Sequence, residues 1–149
     1  MARDHQKSVA SRMAVATRAY RARMGARLAA IGLHPGQEGV LKALEQQDGR
    51  SMAELADALR VQPPTVTKMV GRLSSKGYVQ RRDSAEDGRR AHVFLTESGG
   101  EVLAEIDRML EGIDRKALKG ISAKDQKKLG RMLRRMARNL TTGKPSTPT

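Results

Sequence analysis

The sequence predicts a mainly α-helical fold carrying one small β-hairpin. Three observations predict it. Apolar residues recur every three or four positions over most of the chain, the spacing of helix faces. One run, Val61 to Gly77 (VQPPTVTKMVGRLSSKG), opens near two prolines and closes on a glycine. Directly after it, Tyr78 to Arg82 and Ala91 to Leu95 read as two strands flanking the polar loop Asp83 to Arg90, rich in Asp, Gly and Arg.

Taken in order, the first element is a long amphipathic helix from Lys7 to Ile31. Val9, Met13, Ala16, Tyr20 and Met24 form its stripe, and Gly32 ends it. Its arginines, Arg12, Arg18, Arg21, Arg23 and Arg27, read as a solvated face, with phosphate contact as the alternative. A second helix from Pro35 to Gln47 carries Val40, Leu41 and Leu44, and Asp48-Gly49-Arg50 reads as its turn. Ser51-Met52-Ala53-Glu54 then fits a capping box, in which serine and glutamate satisfy each other's free backbone donors. Leu55, Ala56 and Leu59 follow on a short helix.

Pro63 and Pro64 suit the first turn of the next helix, where a missing N–H costs nothing. Val66, Met69, Val70 and Leu73 form its apolar face. The opposite arc holds Pro64, Lys68, Gly71 and Arg72, with Thr65 and Thr67 on its flanks. A helix lying in a DNA major groove needs short side chains for close approach and long donors for base edges and phosphates. The plain alternative is an amphipathic surface helix. Short helix, turn Arg60 to Gln62, proline-started helix and hairpin together spell a winged helix-turn-helix.

After Thr96, Val102, Leu103, Ile106, Met109, Leu110 and Ile113 mark another long helix, ending near Lys119-Gly120. Ser122 and Asp125 suggest a box-like start to the last helix, striped by Leu129, Met132, Leu133, Met136 and Leu140. Thr141 to Thr149 is expected to be disordered. The terminal helices carry more apolar surface than a small winged-helix module can cover, so they are expected to bury one another or a second chain, most economically in a symmetric dimer.

The chain resembles the MarR-type winged-helix transcriptional regulators from about Lys7 to Leu140. The resemblance rests on Leu33-His34-Pro35-Gly36-Gln37, on Pro63-Pro64-Thr65-Val66-Thr67, and on the wing run Asp83-Ser84-Ala85-Glu86-Asp87-Gly88-Arg89-Arg90 followed by Leu95-Thr96-Glu97-Ser98-Gly99. It implies protomers joined through their terminal helices, and a small-molecule effector pocket between those helices and the winged-helix module. Arg12, Tyr20 and His34 are the candidates for that pocket, although three aromatics and no tryptophan leave few stacking partners. The expected organisation is an N-terminal dimerisation helix (residues 1–32), a DNA-binding module (33–95), C-terminal dimerisation helices (96–140) and a disordered tail (141–149).

In such a homodimer two recognition helices would enter successive major grooves of double-stranded DNA, so the operator should be an imperfect inverted repeat. Gln62, Thr65, Thr67 and Lys68, alongside Pro64, are the candidates at base edges, and Arg72 at phosphate. At the wing, Arg89 and Arg90 suit a narrow A·T-rich minor groove. Asp87, and after it Asp83, are assigned to orienting Arg89 by a charge-assisted bond. Arg81 and Arg82 are phosphate candidates on the strand.

Composition sets the outer bounds. Lys plus Arg number 29 against 16 Asp plus Glu, a formal charge of +13, which points to polyanionic partners. Zero cysteines exclude disulfides, thiolate zinc sites and cysteine-based sensing. No apolar run is long enough for a transmembrane span and no secretory signal is visible, so a cytoplasmic location is expected, with no membrane partner. The acid-poor start also reads like a mitochondrial transit peptide, but the same residues serve as the first helix. His5, His34 and His92 lack metal-ligand spacing, and no cofactor, metal or catalytic constellation is expected, so the chain is not read as an enzyme. The rival readings are a constitutive, basic architectural nucleic-acid-binding protein and a protein-interaction module; a purely electrostatic binder would need only charge, not a patterned recognition helix.

Overall fold

The computed structural model describes residues 8–83 and 90–141. Their order is α1 (Val9–Ala30), α2 (Gln37–Gln46), β1 (Arg50–Ser51), α3 (Met52–Leu59), α4 (Pro63–Ser75), β2 (Val79–Asp83), β3 (Ala91–Leu95), α5 (Glu97–Ala117) and α6 (Ala123–Thr141). The expected wing-tip residues Asp87 and Arg89, and the tail beyond Thr141, lie outside the described residues. The chain divides into two units, Met1–Ile113 and Asp114–Thr149.

The first unit has one core, built from Leu28, Leu33, Leu41, Leu44, Leu55, Val66, Val70, Leu73, Val93 and Ile106, all buried. Every one of its helices, and strand β3, places at least one residue there. Helix α1 contributes only Leu28, near its end. The stripe expected along α1 is otherwise half-buried at Met13, Tyr20 and Met24, and exposed at Ala16 and at Val9, the latter by 67%.

Two sequence expectations need correction. Helix α2 starts at Gln37 rather than Pro35, because the loop before it is organised by side chains. The His34 amide donates to Gln37 Oε1 at 3.0 Å, and the Gly36 amide donates to Glu38 Oε2 at 2.7 Å. Arg50, expected in a turn, instead begins a two-residue strand. It pairs with Val93, and Ser51 with His92, so the hairpin becomes a three-stranded antiparallel sheet in the order β1-β3-β2. Two residues are too few for any periodicity to announce. What holds them is tertiary: Arg50 Nε donates to the Ala43 carbonyl at 3.1 Å, and the Leu95 amide donates to Asp48 Oδ1 at 2.9 Å.

The capping box of α3 forms in both directions, with the Glu54 amide donating to Ser51 Oγ at 3.2 Å and the Ser51 amide to Glu54 Oε2 at 2.7 Å. Helix α3 closes on Arg60 at φ 52°, the only non-glycine residue with positive φ among the described residues. Helix α4 closes on a Schellman motif: the Tyr78 amide donates to the Leu73 carbonyl and the Gly77 amide to the Ser74 carbonyl, at 3.0 and 2.9 Å. Gly77 makes this possible at φ 76°, where a Cβ would be strained.

In the second unit, the Asp125 amide donates to Ser122 Oγ at 3.1 Å, and that hydroxyl donates to Asp125 Oδ2 at 2.7 Å, so α6 starts as its sequence suggests. Helix α6 buries no residue. Its stripe stands open, with Leu129 38%, Met132 51%, Leu133 43% and Leu140 75% exposed.

Candidate nucleic-acid interface

Helix α4 is divided cleanly between two faces. Val66, Val70 and Leu73 are fully buried and Met69 is half-buried, which fixes the helix by one arc. The other arc turns Pro64, Thr65, Thr67, Lys68, Gly71, Arg72 and Ser75 outward, all exposed. The six expected major-groove residues therefore share this surface, with Gln62 at its edge as the extended N-cap residue. Its carbonyl receives the amides of Thr65 and Val66 at 3.0 and 3.3 Å, while its side chain makes no capping bond.

The hydroxyls on this arc are not equivalent. Thr67 Oγ1 donates to the Pro63 carbonyl at 3.1 Å, and Ser75 Oγ to the Gly71 carbonyl at 3.0 Å. A hydroxyl whose proton is committed offers only its lone pairs, so as placed Thr67 presents an acceptor outward. An acceptor matches the exocyclic amino group of adenine or cytosine. Sequence reasoning singled out Thr67 without this polarity, and it passed over Ser75.

The hairpin separates its arginines. Side chains alternate across a strand, so Arg81 and Arg82 point to opposite faces. Arg81 pairs in register with Val93 and lines a shallow groove against α3, together with Arg90, Glu54 and Asp57. In that groove the Ser51 amide holds the Glu54 carboxyl below its usual value, aided by the nearby His92 and Arg50 charges. Arg82 lies on the other face, its guanidinium 4.7 Å from the centre of the Phe94 ring and its Nη2 donating to Gln80 Oε1 at 3.2 Å. Phe94 in turn covers Gly49, where an added Cβ would come within 2.9 Å of the ring. The role of Phe94 as a platform was invisible in the sequence, since it depends on a strand register that places Gln80 opposite Phe94 and Arg82 opposite His92. Asp83 ends β2 opposite Ala91 and is exposed.

Of the three effector candidates, two lie on α1 and one in the loop before α2. Arg12 is exposed and Tyr20 half-buried, eight residues apart on α1, and His34 is exposed in the loop before α2. Among the described residues no group of three or more His, Cys, Asp or Glu side chains is arranged to hold a metal, and no helix is long and apolar enough to cross a membrane.

This arrangement, a helix pair followed by a short hairpin, is shared with known proteins. A model described as "MarR family" matches residues 31–90. The transcriptional regulator HosA of Escherichia coli is 30% identical over 100 residues, covering 67% of this chain and 74% of that protein. Wild-type MarR from E. coli superposes with a TM-score of 0.74 at 20% identity, covering 87% of this chain and 96% of the other. BpsR from Bordetella bronchiseptica superposes with a TM-score of 0.79 at 21% identity, covering 92% of this chain and 98% of the other. The fold, the exposed arc of α4 and the match to HosA converge: this chain belongs to the MarR family of winged-helix, DNA-binding transcriptional regulators.

Proposed function

We propose that the chain is a repressor that acts as a homodimer on an inverted-repeat operator, reading base edges with α4 and the flanking minor groove with the wing. One observation carries this reading: the arc of α4 opposite the core exposes small, hydroxyl and basic residues together, from Pro64 to Ser75. Short residues permit close approach, and Lys68 and Arg72 supply long donors at its centre. Dimerisation is supported by the open stripe of α6, where Met132 and Leu140 are each more than half exposed, and by Val9 at the start of the α1 stripe, 67% exposed. The wing assignment keeps Arg89 and Arg90 as minor-groove arginines, with Asp87 and Asp83 orienting Arg89. Release by a small molecule, through Arg12, Tyr20 and His34, belongs to the same reading; in BpsR, a protein of this fold, DNA binding is regulated by 6-hydroxynicotinic acid.

The test is binding to the chain's own upstream region and to scrambled DNA of equal length over a salt series. Sequence readout keeps the first well above the second as salt rises, and footprinting then finds two half-sites about one helical turn apart. Equal binding that falls together on both fragments, and on a screen of genomic fragments, would replace this reading with a constitutive architectural role. Sedimentation at micromolar concentration checks the dimer, and a reporter under the same upstream region should rise when the chain is removed.

A further inference from the structure

Most of the positive charge of this protein lies outside its winged-helix module. Between Leu33 and Leu95 ten basic side chains face eight acidic ones, so the winged-helix module is nearly neutral. Helix α6 is the opposite case: seven basic residues and a single acid, Asp125, in nineteen residues. At 100° per residue, all seven basic positions fall within an arc of about 120°, opposite the stripe of Leu129, Met132, Leu133, Met136 and Leu140. Every one of them is exposed.

This placement is costly for the helix itself. Lys127 and Arg131, Arg131 and Arg135, and Arg134 and Arg138 are like-charged pairs one turn apart, which repel. A face shaped only for solubility would interleave glutamates at these positions and gain from them. From Lys124 to Arg138 the basic ridge runs about 21 Å at 1.5 Å per residue, long enough to follow several successive phosphates of a nucleic-acid strand.

We infer that the basic arc of α6 is a second surface for the duplex DNA backbone, distinct from the recognition helix and independent of sequence. It rests on the proposed dimer in one respect: the dimer takes up the apolar stripe and leaves the basic arc outward. A lipid surface would need that same stripe free to insert, together with aromatic residues at the boundary, and α6 has none. The four arginines and three lysines of α6 each carry a full positive charge at neutral pH, which is what neutralising successive phosphates requires. Counterion release then supplies affinity that the nearly neutral module lacks, and α4 retains the choice of sequence.

The test uses the full chain with its recognition contacts removed, Thr65→Ala, Lys68→Ala and Arg72→Ala. This variant is expected to keep binding duplex of unrelated sequence at 50 mM salt. Adding Lys127→Gln, Arg131→Gln, Arg134→Gln and Arg135→Gln, which retains helix-forming residues, is expected to reduce that residual binding at least tenfold and to lower the slope of log affinity against log salt by about 3. The charge-preserving set Arg131→Lys, Arg134→Lys and Arg135→Lys should retain it. Circular dichroism and sedimentation verify that each variant is folded and assembled as the parent is. A folded recognition variant with no residual binding, glutamine substitutions without effect, or loss in the charge-preserving set would each overturn the inference. So would a glutamine variant that still binds duplex but no longer sediments with phosphatidylserine-containing vesicles, which would make the arc a membrane surface. Failure of the wild type to prefer its own upstream region would count against the operator reading alone, since residual binding is measured on unrelated DNA.

Discussion

Gly99 lies directly beneath the Tyr78 carbonyl oxygen, so closely that any Cβ at this position would overlap it. The contact joins the first turn of α5 to the end of the recognition helix, and it is reinforced on both sides. Thr96 Oγ1 donates to the Gly77 carbonyl at 2.6 Å and receives the Gly99 amide at 3.0 Å, while the Thr96 amide donates to Tyr78 at 3.1 Å. Because backbone rather than a flexible side chain occupies the space, Gly99→Ala must move one element against the other. It is expected to destabilise the fold by about 1–3 kcal/mol, the usual range for overpacking. Thr96→Val, which deletes the cap and adds no clash at Gly99, is expected to cost about 1 kcal/mol. Urea denaturation of both variants checks the order; an alanine variant as stable as the wild type would mean that α5 is not seated on this carbonyl.

Arg82 and Phe94 make a different kind of prediction, one about binding. The ring holds the guanidinium against the outer face of the hairpin, an exposed cation–π contact of about 0.5–1 kcal/mol. If Arg82 meets phosphate, Arg82→Ala should weaken binding to all duplexes alike and reduce the salt slope by about 1. Phe94→Leu keeps apolar cover over Gly49 but removes the platform, so it should produce a smaller loss of the same character. Titrations of operator and unrelated DNA at two salt concentrations separate the two variants. No change in either would take Arg82 out of the interface.

Much of this was legible in the sequence, and the parts that were not share a cause. The helices, the capping boxes at Ser51 and Ser122 and the stop at Gly77 follow from local rules, because their determinants lie within four residues of one another. Strand β1 escaped, since Arg50 and Ser51 become a strand only by pairing with residues some forty positions away. The Arg82–Phe94 stack escaped likewise, because it depends on register. The outward arc of α4 was readable from its spacing, whereas the polarity of Thr67 depended on a rotamer. The charge on α6 was visible from composition, but its segregation mattered only once its apolar stripe was found uncovered.

Two basic residues test the division between reading sequence and gripping backbone. Lys68→Ala is expected to cost about 1–3 kcal/mol on the operator and less on unrelated DNA, relaxing discrimination at one base pair of each half-site. Arg89→Ala should cost a similar amount, most on operators with A·T-rich flanks, where a narrow minor groove concentrates negative potential. Competition binding against operators varied in the half-site or in the flank checks each assignment. Full discrimination in the Lys68 variant would move that residue to the phosphates, and uniform weakening would do the same for Arg89.

The capping box of α3 should be sensitive to acid. Glu54 has its carboxyl held below the ordinary 4.5 chiefly by the Ser51 amide. A group whose folded value is depressed contributes its stability above the unfolded value and loses it as pH falls through the folded one. The wild type should therefore lose stability relative to Glu54→Gln below about pH 4.5, because the glutamine can accept the same amide without titrating. Denaturation midpoints of the two proteins between pH 7 and pH 3 would show the gap closing toward acid. Parallel curves would mean that the box does not depend on ionisation.

The sharpest test of the recognition face concerns a residue with open space where its side chain would be. Gly71 sits in the middle of α4, exposed, and a Cβ built there meets no atom within 4 Å. Glycine inside a helix costs roughly 0.5–1 kcal/mol relative to alanine, and at Gly71 no packing demand within the protein offsets that cost. If α4 lies in the groove as proposed, close approach to the groove floor or a phosphate accounts for a glycine there. Gly71→Ala is therefore expected to stabilise the free protein by about that amount while weakening operator binding, and Gly71→Leu should abolish specific binding without unfolding the chain. Thermal denaturation and binding titrations on the same preparations read both effects. A Gly71→Leu variant that binds its operator as the wild type does would mean that this arc of α4 does not face DNA.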